Sequence, residues 1–186
     1  MKDSYKILTI PKFVEKVDCD LLINKYNINS ELSDAEVYRP NNVEIKKETR
    51  KSKVSFVDDI GIIGDRILDK VKEHVGDIKG YEPSLDTFQF TKYEKGDFFD
   101  WHADSNDTVF KDRFYTIVLQ LNDDYENGDF QLLINKEVTL ERGVGNLFIF
   151  PSEVVHRVKS ITSGIRYSLV NWLKLKQIEN IKKTLL

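Results

Sequence analysis

The sequence predicts a mainly β fold, an antiparallel double sheet rolled into a jelly roll with helices packed on its outside. Two observations carry that prediction. Apolar residues recur at helical spacing in the first part of the chain. From Ser84 onward they fall into short runs separated by turn residues. Composition agrees, since eleven Phe and eight Tyr against only four Pro suit a β-rich core. At 186 residues the chain is long enough for one domain with a substantial core, so residues 1–186 are read as a single unit.

The elements follow in order. Residues 11–27 carry Phe13, Val14, Val17, Leu21 and Leu22 at helical spacing, and residues 59–75 repeat the signal with Ile62, Ile63, Ile67, Leu68 and Val71. Asp58 or Asp59 is the expected cap of the second helix. Between them, residues 29–53 are polar and poorly patterned, a candidate lid, and residues 1–83 together form a helical support. Strands are predicted over Leu85–Tyr93, Phe98–Ala103, Phe114–Leu121, Phe130–Ile134, Glu137–Leu140, Asn146–Phe150, Val154–Ser160 and Arg166–Leu173, so the β core spans 84–173. Turns fall at Glu94-Lys95-Gly96-Asp97, Asn127-Gly128-Asp129, Arg142-Gly143-Val144-Gly145 and Thr162-Ser163-Gly164. Residues 174–186 read as a short helix or frayed tail.

Charge and cysteine content narrow the function. A formal net charge of -3 argues against an electrostatic nucleic-acid binder. A single cysteine, Cys19, forbids an intramolecular disulfide and a Cys-based zinc site, and it falls in an apolar stretch where a buried thiol is the default. No segment approaches the length of a membrane span, and the N-terminal apolar run before Pro11 is too short for a secretory h-region. A cytoplasmic protein without a membrane or nucleic-acid partner is expected, as a monomer or weak homodimer.

The chemistry-bearing residues are few. His102 and Asp104 stand two residues apart on a predicted strand, so both side chains point the same way. His156 shares a face with Val154 and Val158, about fifty residues further on. Two histidines and a carboxylate form the facial triad that holds non-haem Fe(II) with open coordination positions. Buried histidines are also often merely hydrogen-bonded, and His74, in Lys72-Glu73-His74, reads as a surface residue. Arg166 follows His156 by ten residues. On the last strand Arg166, Ser168, Val170 and Trp172 share one face, and Tyr167, Leu169 and Leu173 the other. An arginine buried in a barrel needs an anion, and its rigid fork of donors suits a carboxylate.

The run Tyr93-Glu94-Lys95-Gly96 to Trp101-His102-Ala103-Asp104 resembles the Tyr-x-x-Gly…His-x-Asp element of Fe(II)/2-oxoglutarate oxygenases of the prolyl 4-hydroxylase-like branch. His156-Arg157-Val158 with Gly164-Ile165-Arg166-Tyr167-Ser168 resembles the distal half of the same branch, and Asn146-Leu147-Phe148-Ile149-Phe150-Pro151 the strand before its second histidine. The resemblance implies a double-stranded β-helix of cupin-like type. It implies that His102, Asp104 and His156 bind Fe(II). It further implies that Arg166, helped by Tyr93 and Ser168, pairs with the distal carboxylate of 2-oxoglutarate, with dioxygen as second co-substrate and ascorbate as an auxiliary reductant. Gln120 departs from the pattern, standing where similar proteins often place a Tyr. The carboxylate at 104 favours hydroxylation, because related halogenases have a small residue there.

The substrate is less legible. Thr49-Arg50-Lys51-Ser52 resembles an Arg-x-Ser element that lies near bound peptide in prolyl 4-hydroxylases. Arg50 and Arg113 are therefore candidate substrate residues, and Trp172 a candidate wall of the pocket. A prolyl residue of a peptide or protein is the leading substrate. The alternative is a free amino acid or other small metabolite. Two more distant readings are a zinc-loaded cupin-like hydrolase or isomerase, which would not need Arg166, and a non-catalytic binding module.

Overall fold

A computed structural model of the chain describes residues 6–29, 31–39, 42–44, 47–76, 78–106, 108 and 110–177. Its N-terminal part holds β1 (Leu8–Ile10), α1 (Lys16–Asn29), β2 (Ser33–Asp34), β3 (Val37–Arg39), β4 (Asn42–Glu44), β5 (Arg50–Lys51), β6 (Lys53–Val57) and α2 (Ile62–Val75). Then come β7 (Tyr81–Leu85), β8 (Phe88–Tyr93), β9 (Phe98–His102), β10 (Tyr115–Gln120), β11 (Glu126–Asn127) and β12 (Phe130–Ile134). The last strands are β13 (Lys136–Thr139), β14 (Leu147–Pro151), β15 (His156–Val158), β16 (Ile161–Ser163) and β17 (Arg166–Gln177). Among the described residues two main sheets result, one ordered β1-β14-β10-β17-β8-β6-β2 with β7 also on β17, the other β13-β12-β15-β9-β5, and β11-β16 and β3-β4 form two-stranded pairs beside them. This is the jelly roll that the sequence predicts.

Alternation divides the core in two. Ile117, Leu119, Leu147, Ile149 and Leu169 face the helices and pack with Cys19, Leu22, Ile63, Ile67 and Val71. Val118, Phe148 and Phe150 face the other way and pack against Phe130, Leu132 and Val158 of the smaller sheet. The functional side chains lie in this inter-sheet layer. No helix among the described residues is long and apolar enough to cross a membrane.

Several expectations need correction. The first helix begins at Lys16, not at residue 11, because Lys12 takes a left-handed φ of 50° that no helix accommodates. Its buried face is Cys19, Leu22 and Tyr26, and Val17 and Leu21 are exposed. Neither Asp58 nor Asp59 caps α2: Gly61 holds the cap position, and Asp59 Oδ1 instead accepts from the Gly61 N–H at 2.6 Å. Leu85–Tyr93 is interrupted at Asp86 and Thr87, where the Asn171 side chain bonds both the N–H and the C=O of Asp86. Val154–Ser160 narrows to β15. Residues 174–177 are neither helix nor tail, since they continue β17 and pair with β7; residues 178–186 lie outside the described residues. The proposed lid contains β2, β3, β4 and β5, while residues 30, 40, 41, 45 and 46 lie outside the described set.

Candidate metal and anion site

Strand pairing brings the two histidines together. β9 and β15 are antiparallel neighbours with His102 opposite His156, and their rings lie 4.2 Å apart. Between Val158↔Phe99 and His156↔His102 the register shifts, so β9 carries one extra residue, a β-bulge. The bulge lets Phe99 and His102, at an odd spacing, face the same cavity, where their rings stack at 3.3 Å. Asp104 lies just beyond the end of β9. Its N–H donates to Ser152 O at 2.9 Å, which turns the carboxylate between the histidines.

The donor atoms converge. His102 Nε2 is 3.6 Å from Asp104 Oδ1, and His156 Nε2 is 3.5 Å from Oδ2. The three ligand atoms lie within 4.8 Å of one another. His102 Nδ1 is 2.7 Å from Asp100 O and His156 Nδ1 is 2.9 Å from Val154 O. A carbonyl only accepts, so each Nδ1 carries a proton and each neutral ring presents its Nε2 lone pair inward. Three lone-pair donors facing one point repel unless a cation sits among them. The donor set therefore fits a metal ion, and two nitrogens with one oxygen suit a transition metal.

The titration behaviour agrees. Burial by itself raises the Asp104 carboxyl, but His156, His102 and the Trp172 indole outweigh it and hold the group well below the usual carboxylate range. Burial, reinforced by His102, pushes the His156 imidazole down to about 4 against the pull of Asp104. Both shifts favour the deprotonated forms that bind metal.

The same cavity, about 240 Å³, contains Arg166, Ser168, Tyr93 and Trp172, as well as Arg50 and Arg113. Arg166 is 1% exposed. Its Nη1 donates to Ser168 Oγ at 3.2 Å, its Nε has no partner, and the Tyr93 and Phe130 rings flank it at 5.5 and 5.9 Å. Among the described residues no carboxylate pairs with it. A buried guanidinium in that state is a preformed anion site. Arg113 lies between the rings of Phe110 and Trp172 at 3.7 and 3.6 Å, and Arg50 over Phe99 at 4.5 Å. Gln120 lies outside the cavity wall and donates to Tyr125 Oη at 2.8 Å. His74 is at the surface, bonded to Lys6 O.

Sequence reasoning missed Thr116, Ser152 and Phe99. Thr116 Oγ1 donates to Asp104 Oδ2 at 2.8 Å and lies 3.0 Å from Ser152 Oγ. A strand hydroxyl carries no signal of its own, and Phe99 was hidden by the bulge.

Comparison with known proteins agrees with the geometry. Residues 88–174 match the family described as the 2OG-Fe(II) oxygenase superfamily. A PKHD-type hydroxylase of Synechococcus sp. (strain CC9311) is 32% identical over 102 residues, covering 52% of this chain and 46% of that protein. One from Synechococcus sp. (strain CC9902) is 36% identical over 89 residues, covering 45% and 39%. The chain thus spans less than half the length of these curated relatives. Among solved structures, a Pseudomonas putida prolyl-4-hydroxylase superposes with TM-score 0.72 at 22% identity, over 92% of this chain and 94% of that one. A Trichoplax adhaerens prolyl hydroxylase, in complex with a hypoxia inducible factor oxygen degradation domain peptide fragment, gives 0.74 at 17% identity, over 91% and 83%. With the triad, the buried arginine and the jelly roll in one place, the chain resembles the 2OG-Fe(II) oxygenase superfamily over residues 88–174 and shares the fold of the prolyl hydroxylases among its structural neighbours.

Proposed function

We propose that the protein is an Fe(II)- and 2-oxoglutarate-dependent hydroxylase acting on a prolyl residue of a peptide or protein. The family implies Fe(II), 2-oxoglutarate and dioxygen. The observation that carries the reading is Arg166, a buried cation without an ionic partner among the described residues, lining the same cavity as His102, Asp104 and His156. A zinc hydrolase with the same triad has no use for that arginine.

His102, Asp104 and His156 would hold the metal through lone pairs already turned inward. Arg166 receives the distal carboxylate of 2-oxoglutarate through its fork, with the Ser168 hydroxyl and the Tyr93 ring beside it. Phe130, Val118 and Val158 line the cavity with apolar surface and exclude water. When bound, the metal with its co-substrates supplies the oxidant that converts a substrate C–H to C–OH, as 2-oxoglutarate and dioxygen become succinate and CO2. Arg50 and Arg113, at the cavity wall, offer donors to substrate carbonyls.

The test is succinate formation by protein loaded anaerobically with Fe(II) and 2-oxoglutarate, then exposed to oxygen. Proline-containing peptides and free amino acids form the substrate panel. Stimulation by a peptide, with a mass gain of one oxygen on proline, is the expected result. Stimulation by a free amino acid moves the substrate to the small-molecule class. No succinate, with metal verified in the site, rejects the oxygenase.

A further inference from the structure

Asp104 is held by more than its place in the chain. Thr116 on β10 and Trp172 on β17 are directly opposed cross-strand partners. Both donate to the same carboxylate oxygen: Thr116 Oγ1 to Oδ2 at 2.8 Å and Trp172 Nε1 to Oδ2 at 3.0 Å. Thr116 is fully buried and Trp172 is 5% exposed, so neither donor exchanges freely with water. Ser152 completes the clamp from β14's end, accepting the Asp104 and Ser105 N–H groups on its carbonyl at 2.9 and 3.1 Å.

A carboxylate oxygen that accepts two strong hydrogen bonds has little lone-pair density left for a metal. We propose that the Thr116–Trp172 pair is a positioning device that occupies Oδ2, so that Asp104 ligates through Oδ1 alone. The inference rests on the metal-centre reading above. A one-oxygen carboxylate takes a single coordination position and leaves the others for co-substrates. The pair sits on the two central strands of the larger sheet, β10 and β17, so the orientation of Asp104 is fixed by a rigid ladder and not by the loop that carries it. Thr116 and Trp172 are positioning residues. They act through Asp104.

The experiment titrates Mn(II) into metal-free wild type, Thr116→Val, Thr116→Ser, Trp172→Phe and Asp104→Ala, and reads the free-ion EPR signal. Calorimetry of each metal-free protein runs in parallel, and Co(II) absorption spectra report coordination number. Thr116→Val and Trp172→Phe are each expected to weaken Mn(II) binding roughly 10- to 100-fold, the range for lost partners of a metal ligand. Thr116→Ser, which keeps the hydroxyl, restores wild-type affinity. The Co(II) bands of the two weakened variants shift toward a higher coordination number as Oδ2 is released. Affinities within threefold of wild type in both variants overturn the proposal, even if their metal-free forms melt earlier, because that pattern is packing alone. A wild type that fails to bind Mn(II), or an Asp104→Ala protein that binds it equally well, overturns the metal-centre reading beneath it.

Discussion

Replacing Arg166 by methionine separates a co-substrate anchor from a structural arginine, because the two roles predict opposite signs. The guanidinium is almost wholly buried, with one hydrogen bond to Ser168 and an unpartnered Nε. Removing a buried charge without an ionic partner in favour of an apolar chain of similar length is neutral or stabilising by about 1–4 kcal/mol. Lost attraction to the Tyr93 and Phe130 rings returns about 1 kcal/mol, since both sit near the limit of that interaction. The net change therefore lies between about -1 and +3 kcal/mol, and at roughly 2–4 °C per kcal/mol in a chain of this size the melting temperature should rise, or fall by no more than about 4 °C. Binding of 2-oxoglutarate should move the other way. Truncating one side of a buried, hydrogen-bonded charge pair costs about 2–5 kcal/mol, which at about 1.4 kcal/mol per decade is at least ~30-fold in Kd. Calorimetric melting of metal-free protein and anaerobic titration of 2-oxoglutarate into the Mn(II) form measure the two quantities. A variant that melts more than about 4 °C lower yet binds 2-oxoglutarate normally would refute the assignment.

Three further outcomes follow from particular contacts. Asp104→Ala should abolish Mn(II) binding and succinate formation together, because the two histidine nitrogens then lose the only negative donor of the cluster. Gly145 has a φ of +74°, and a Cβ there would stand 1.8 Å from the Val14 carbonyl oxygen, so Gly145→Ala should cost about 3 kcal/mol or more in urea denaturation while leaving Mn(II) affinity in place. The Cys19 thiol, with burial as the main cause, is raised from 9.0 to about 11. Below about pH 9 both folded and unfolded chains carry the neutral thiol; above it the unfolded chain ionises first. The stabilisation is therefore intact below pH 9 and falls as pH rises toward 11, by up to about 3 kcal/mol. A Cys19→Ala variant should show a shallower loss of urea midpoint between pH 8.5 and 10.5, and the native thiol should resist alkylation at pH 8.

Much of the site was legible because its signals are local. Two-residue spacing put His102 and Asp104 on one side, and strict alternation along β17 sorted Arg166, Ser168, Val170 and Trp172 from Tyr167, Leu169 and Leu173. What escaped depends on partners distant in sequence. Thr116 matters only because its cross-strand neighbour is Trp172 and Asp104 lies over both. In α1 the apolar residues encircle the helix, so periodicity could not tell that Cys19, Leu22 and Tyr26, and not Val17 and Leu21, would face the sheet. The extension of β17 did leave a trace: Leu173 and Leu175 alternate with Lys174 and Lys176, a strand pattern in a stretch that reads at first as a tail.

The bulge in β9 has a meaning for the proton as well as for the register. An unbroken ladder engages main-chain carbonyls in order along a strand, each worth about 1 kcal/mol. The bulge breaks that order in the stretch that contains Asp100, whose carbonyl takes the Nδ1 proton of His102. His156 is served in the same way by Val154, which precedes the first residue of β15. In both cases the acceptor that fixes the imidazole tautomer comes from backbone where regular pairing lapses. A flatter, more regular sheet would be the more stable architectural element and the poorer metal site, since either ring could then place its proton on the nitrogen that has to stay bare.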